Sequence, residues 1–107
     1  MTKPIPSARQ PLAGLEVVEL SNMITCSLAA QTMAAQGANV IKVEPPVGGD
    51  QMRPLGTQKS GVSGFFHNCN RGKQSLAIDL KSDAGVEAVK KLAANADILL
   101  HNYRPGV

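Results

Sequence analysis

Between Leu15 and Val43, two short β-branched runs flank a stretch of helix formers that ends on a glycine, and this order leaves the chain few topologies. Leu15–Leu20 (LEVVEL), bounded by Gly14 and Ser21-Asn22, reads as a strand. Leu28–Gln36 is rich in good helix formers. Thr25 and Ser27 are positioned to cap its start, and Gly37 sits where a C′ glycine ends a helix. Asn39–Val43 (NVIKV) is then a second strand. Strand, helix and strand with tight connections form a βαβ unit, which implies a parallel pair with a right-handed crossover.

The same reading extends down the chain. Glu44 to Gly64 dissolves into prolines and glycines, a loop long enough to be functional or disordered. From Gln74 to Leu80 the residues alternate, with Leu76, Ile78 and Leu80 on one side, which is a strand period. Ser82 begins a helix with Asp83 and Glu87 near its positive end, and Val86, Val89, Leu92 and Ala93 form its apolar stripe. Ile98–Leu100 supplies a fourth strand, stopped by Tyr103-Arg104-Pro105-Gly106. The fold class is therefore α/β: a Rossmann-like, mostly parallel sheet with flanking helices. Residues 1–11 hold three prolines and read as a flexible lead-in, and 12–107 form the folded segment. The last residues fall where a doubly wound sheet continues into another helix, so the expectation is an incomplete N-terminal part of a larger domain.

Composition removes several function classes. Hydrophobic residues make up 43% and charged residues 18%, a globular balance, but aromatics are only 3% and Trp is absent, so the core must be aliphatic. The net charge of +3 is spread along the chain, without a Lys/Arg run that would indicate nucleic acid. Cys26 and Cys69 stand far apart with no zinc-like spacing, and read as free thiols in a reducing compartment. No metal site is expected. Neither a signal-peptide core nor an apolar run of membrane length occurs, so the protein is expected in the cytoplasm, away from membranes.

Three stretches carry candidate chemistry. Ser21–Ser27 lies between strand and helix, where a helix N-terminus offers N–H groups to anions, although no GxGxxG or P-loop motif is present. It also reads as an ordinary capped turn. Arg71, Lys73 and Lys81 place three cations around one strand, suited to phosphate or simply to a solvated face. Asn102 and Tyr103, at a strand's carboxyl end, are suited to gripping a nucleotide-like ligand, while Pro105 and Gly106 need only a turn. His67 and His101 lack metal or triad partners, no Ser sits in a GxSxG elbow, and Cys26 has no evident general base.

The order of four motifs adds what each lacks alone. PLAGLEVVELS, QGANVIKVEPPVGGDQMR, NCNRGKQSLAIDLKS and ADILLHNYRPGV together resemble the N-terminal pattern of class III coenzyme A transferases, the CaiB/BaiF type, from Pro11 to Val107. That family includes formyl-CoA, carnitine and bile-acid CoA transferases and α-methylacyl-CoA racemases. The resemblance implies a Rossmann-like large domain that binds coenzyme A or acyl-CoA at the strand ends, in an interlocked homodimer acting on an acyl-CoA and a carboxylic acid. It assigns Met23, Ile24 and Thr25 to CoA contacts through backbone, Ile78 and Lys81 to the adenosine and phosphate region, and Asn102 and Tyr103 to the N-[FY] pair beside CoA. Arg71 and Lys73 belong to its N-x-N-[RK]-x-K motif, and Arg53 matches its G-D-x-x-R arginine.

Three departures accompany the match. Thr25-Cys26-Ser27 stands where A-G-P is common, and Pro45 stands where a basic residue often contacts CoA. None of Asp50, Asp79, Asp83 and Asp97 matches the catalytic aspartate, which the resemblance puts downstream of Val107. The expected reaction is CoA transfer between carboxylic acids through acyl-enzyme intermediates. The alternatives are racemisation of a 2-methylacyl-CoA and a truncated, inactive CoA-binding remnant.

Overall fold

The computed structural model describes residues 10–107. The expected lead-in therefore lies, except for Gln10 and Pro11, outside the described residues. Six strands and three helices follow: β1 (Glu16–Leu20), α1 (Thr25–Ala35), β2 (Asn39–Glu44), β3 (Gln58–Lys59), β4 (Val62–Ser63), α2 (Gly64–Asn70), β5 (Gln74–Ala77), α3 (Asp83–Ala94) and β6 (Ile98–His101). The main sheet is parallel throughout, in the order β5-β2-β1-β6. Counting only its own strands, that is third, second, first, fourth, the order of one half and the beginning of the next in a doubly wound nucleotide-binding sheet.

Strand alternation distributes the core over two faces. Val17 and Val40 pack with Ala30 of α1 on one face, and Val18 and Val43 pack with Val89 of α3 on the other. Helix α2 lies beside α1. On the α3 face the β5 edge stays open, as an apolar groove of about 540 Å³ reaching from Ile41 and Leu76 to Leu92. Leu76 is consequently more exposed than its place in the alternation suggests.

Several expected boundaries shift for identifiable reasons. Neither Thr25 nor Ser27 caps α1: its N-cap is Ile24, without a side-chain bond. Thr25 instead accepts from Asn102, while Ser27 points inward to Glu19. Gly37 does take the left-handed conformation expected of a C′ glycine, with φ 104°. The 44–64 stretch is not all loop, since β3 and β4 pair as a small antiparallel ribbon. Helix α2 covers part of the segment read only as a motif, and its N-cap Ser63 accepts from the Phe66 N–H. β5 stops at Ala77 rather than Leu80. One further bond, from the Ile78 N–H to the Glu44 carbonyl, ends the ladder, because Pro45 and Pro46 have no N–H to extend it.

Candidate functional site

The strand order reverses at β1, so the crevice beyond the carboxyl ends of β1 and β6 is the place where open α/β sheets bind ligands. The β1–α1 turn occupies that place and is tied down from both sides. Asn102, just after β6, donates to the Asn22 carbonyl at 2.8 Å and accepts the Asn22 N–H at 3.1 Å. Its amide also lies 3.4 Å from the Thr25 hydroxyl. From the other side, the Asn22 side chain accepts the Gln51 N–H at 2.9 Å, and the Met23 N–H donates to Asp50 Oδ1 at 3.0 Å. Met23 itself has φ 65°, a left-handed conformation disfavoured for any residue with a Cβ. The first intrahelical bond of α1 runs from the Leu28 N–H to the Ile24 carbonyl. The N–H groups of Thr25, Cys26 and Ser27 precede it, and the first turn holds no acidic residue. An anion is the natural complement of such an end.

Beneath this turn lies a buried ionic cluster on the α1 face of the sheet. Register places Glu19 of β1 beside Lys42 of β2, and the two meet at 2.7 Å. Lys42 also lies 2.9 Å from Asp50, and Lys73 lies 2.6 Å from Glu19. All four side chains are at most 2% exposed. Hydroxyls of Ser21 and Ser27 donate to the same Glu19 oxygen that Lys42 contacts. Two cations and two carboxylates make the cluster neutral, the condition under which buried charge is tolerable. Burial acts to lower the pKa of Lys42, but the bonds to Glu19 and Asp50 outweigh it and raise the net value. At Lys73 burial prevails over Glu19 and the shift is downward.

A second ion pair adjoins the first. Arg53 grips Glu44 with two bonds, of 2.8 and 2.7 Å, and stacks 4.0 Å above the Phe66 ring. Burial would raise the Glu44 pKa, but the Arg53, Ser75 and Asp50 N–H donors together pull it down to about 2. Thus Lys73, one of the expected phosphate cations, and Arg53, the arginine matched to the G-D-x-x-R element, are both committed to carboxylates. Arg71 caps the carboxyl end of α2, exposed, and forms no ion pair among the described residues.

Three expected residues do converge. Ile78, Lys81 and Tyr103 line one cleft of about 120 Å³ together with Pro45, Glu44 and Val43, at the carboxyl ends of β2 and β5. Lys81 is exposed and forms no ion pair among the described residues, and its N–H is fixed by Asp79 at 2.9 Å. Half-buried Tyr103 has a pKa raised chiefly by burial, so its hydroxyl is neutral and able to donate. Glu19, Lys42 and Asp50 lie outside the residues the sequence marks for the site, and Ser27 is marked only as part of the Ser21–Ser27 turn. The one sequence signal of Glu19 and Lys42 is a charge at an inner position of each of two neighbouring strands, Glu19 between Val18 and Leu20, and Lys42 between Ile41 and Val43.

Comparison with known proteins fits this geometry. A family profile described as CoA-transferase family III matches residues 12–107. The succinate–glutarate CoA-transferase of Agrobacterium fabrum is 36% identical over 107 residues, covering 94% of this chain and 27% of that protein. Human succinyl-CoA:glutarate CoA-transferase is 37% identical over 98 residues, 91% of this chain and 22% of its own length. A CaiB/BaiF family protein from Brucella suis, solved by crystallography, superposes with a TM-score of 0.84 at 40% identity, over 91% of this chain and 27% of that one. The chain thus spans about a quarter of the length of these relatives.

Proposed function

Because this chain belongs to CoA-transferase family III, we propose that it forms the coenzyme A cradle of an enzyme that moves CoA between carboxylic acids. The observation that carries this reading is the convergence of the β1–α1 turn, Asn102-Tyr103 and Ile78/Lys81 at the carboxyl ends of the parallel strands. The backbone of Met23 to Thr25 lies along the CoA chain, with the Met23 N–H held by Asp50 and the following N–H groups facing the ligand. Ile78 packs against the adenosine, and Lys81 meets phosphate as a free point charge. Tyr103 supplies a ring face and a hydroxyl beside the ligand. Arg53 and Lys73 act from behind, by fixing the walls through Glu44 and Glu19, and Arg71, exposed after α2, is a further cation available to phosphate.

The chemistry assigned to the whole protein is acyl transfer. An enzyme carboxylate attacks the thioester carbonyl, the C–S bond breaks, and CoA leaves as thiolate while the acyl group stays as a mixed anhydride. The incoming acid then exchanges for the acyl acid, and its own anhydride is opened by the CoA thiolate. Asp50 is engaged by Lys42 and is not assigned the attacking role. On this reading the whole protein is a cytoplasmic homodimer using an acyl-CoA and a carboxylic acid.

Calorimetric titration of the 107-residue chain with CoA tests the proposal. Saturable binding is expected without any transfer between acyl-CoA and free acid, and Lys81→Ala should weaken it about three- to tenfold. An affinity unchanged in both Lys81→Ala and Ile78→Asp would place CoA elsewhere.

A further inference from the structure

Asp50 joins two features of the site, the strained turn after β1 and the buried ionic cluster. Its side chain is fully buried, though it belongs to a loop whose neighbours Gly48 and Gln51 are exposed. Oδ1 accepts two backbone N–H groups, from Met23 at 3.0 Å and from Met52 at 2.9 Å. Oδ2 faces Lys42 at 2.9 Å, and the Asp50 N–H donates to Glu44 Oε1 at 3.0 Å. The carboxylate is therefore held by two backbone donors on one oxygen and by an ion pair on the other. Lys42 is pinned in turn by Glu19 at 2.7 Å, and Glu44 by Arg53.

We infer that Asp50 is a positioning residue for the CoA-contacting turn: its carboxylate, anchored on Lys42, holds the left-handed Met23 backbone so that the following N–H groups face the ligand. A loop carboxylate needed only to neutralise Lys42 has no reason to reach the Met23 N–H, and a Met at φ 65° needs a partner that compensates its backbone strain. Asp50 satisfies both requirements with one side chain. It touches neither CoA nor the reacting atoms, and acts through Met23. This inference rests on the reading that Met23–Thr25 contact CoA, which the wild-type CoA titration tests by itself.

The experiment pairs amide hydrogen exchange with CoA titration on the 107-residue chain. In wild type the Met23 amide should be protected. In Asp50→Ala it should exchange at least roughly tenfold faster while Val18 and Ala30 keep their protection, and CoA should bind roughly tenfold more weakly. Asp50→Asn retains an acceptor oxygen for Met23 but sets its amide nitrogen against Lys42, so protection should return in part and affinity should fall between those of wild type and Asp50→Ala. An unprotected Met23 amide in wild type overturns the inference, whichever variants fold. So does unchanged Met23 protection in folded Asp50→Ala, or an Asp50→Asn protein that loses Met23 protection as fully as Asp50→Ala. Wild-type chain that protects Met23 but gives no CoA signal upholds the Asp50–Met23 clamp and refutes the CoA reading.

Discussion

Glu19 and Lys42 illustrate what one residue's position in a strand does and does not disclose. Their alternation with valine and leucine marks a face, and on an antiparallel sheet that face would be solvent. In this parallel sheet both faces are covered near β1 and β2, so the charged positions are interior and must pair across the register. Alternation was legible, but the pairing depends on Asp50 and Lys73 arriving from distant segments, and no local pattern encodes that. The cluster's asymmetry yields a prediction. Lys42→Met leaves Asp50 without its cation in a buried site, and should cost about 3–5 kcal/mol of unfolding free energy. Lys73→Met leaves Glu19 still paired with Lys42, and should cost about 1–3 kcal/mol. Urea denaturation of both variants checks the order, and equal losses would show that the two lysines share the burden evenly.

At the scale of elements, long periodic segments were readable and short ones were not. The four sheet strands, α1 and α3 were foreseen to within a few residues, because their periods are set by burial against two faces. Helix α2 has only seven residues and the β3–β4 ribbon two per strand, too few for a period to emerge. At the site, Ile78, Lys81 and Tyr103 meet where strand ends placed them, whereas the partners that absorb Arg53 and Lys73 were invisible in a linear charge pattern. The start of α3 holds a case in which propensity misleads. Gly85 stands in its first turn, where Ala is ordinarily better by about 1 kcal/mol. Here an added Cβ would stand 1.9 Å from the Asp79 carbonyl oxygen, in the turn that carries Lys81. Gly85→Ala should therefore destabilise the chain, by about 2 kcal/mol or more, and weaken CoA binding as Lys81 shifts. Thermal unfolding decides it, since a higher Tm would mean that the turn yields freely.

For the whole molecule, the carboxyl ends of the strands are joined to the 49–53 loop by ion pairs as well as by the buried Met52 side chain, so its stability should follow pH through those charged groups. Glu44 binds that loop through Arg53 and the Asp50 N–H, and reaches β5 through Ser75 at 2.6 Å. Its folded pKa of about 2 lies below the ordinary 4.5. A depressed carboxylate pKa means that the unfolded chain binds the proton more tightly, so acid favours unfolding. The contribution is complete well above pH 4.5, begins to fade near pH 5.5, and is lost as pH falls toward the folded value. Its full size is on the order of 3 kcal/mol, about 2 kcal/mol of which is gone by pH 3. Lys42, with its pKa raised, has the opposite dependence: its contribution is whole below the ordinary lysine value and fails only in strong alkali. Urea midpoints between pH 7 and pH 3 should accordingly be level at first and then fall steeply in wild type. Glu44→Gln should start lower and fall less steeply, because the titrating group is gone. Parallel pH profiles for the two proteins would move the acid sensitivity away from Glu44 and onto the other carboxylates of the fold.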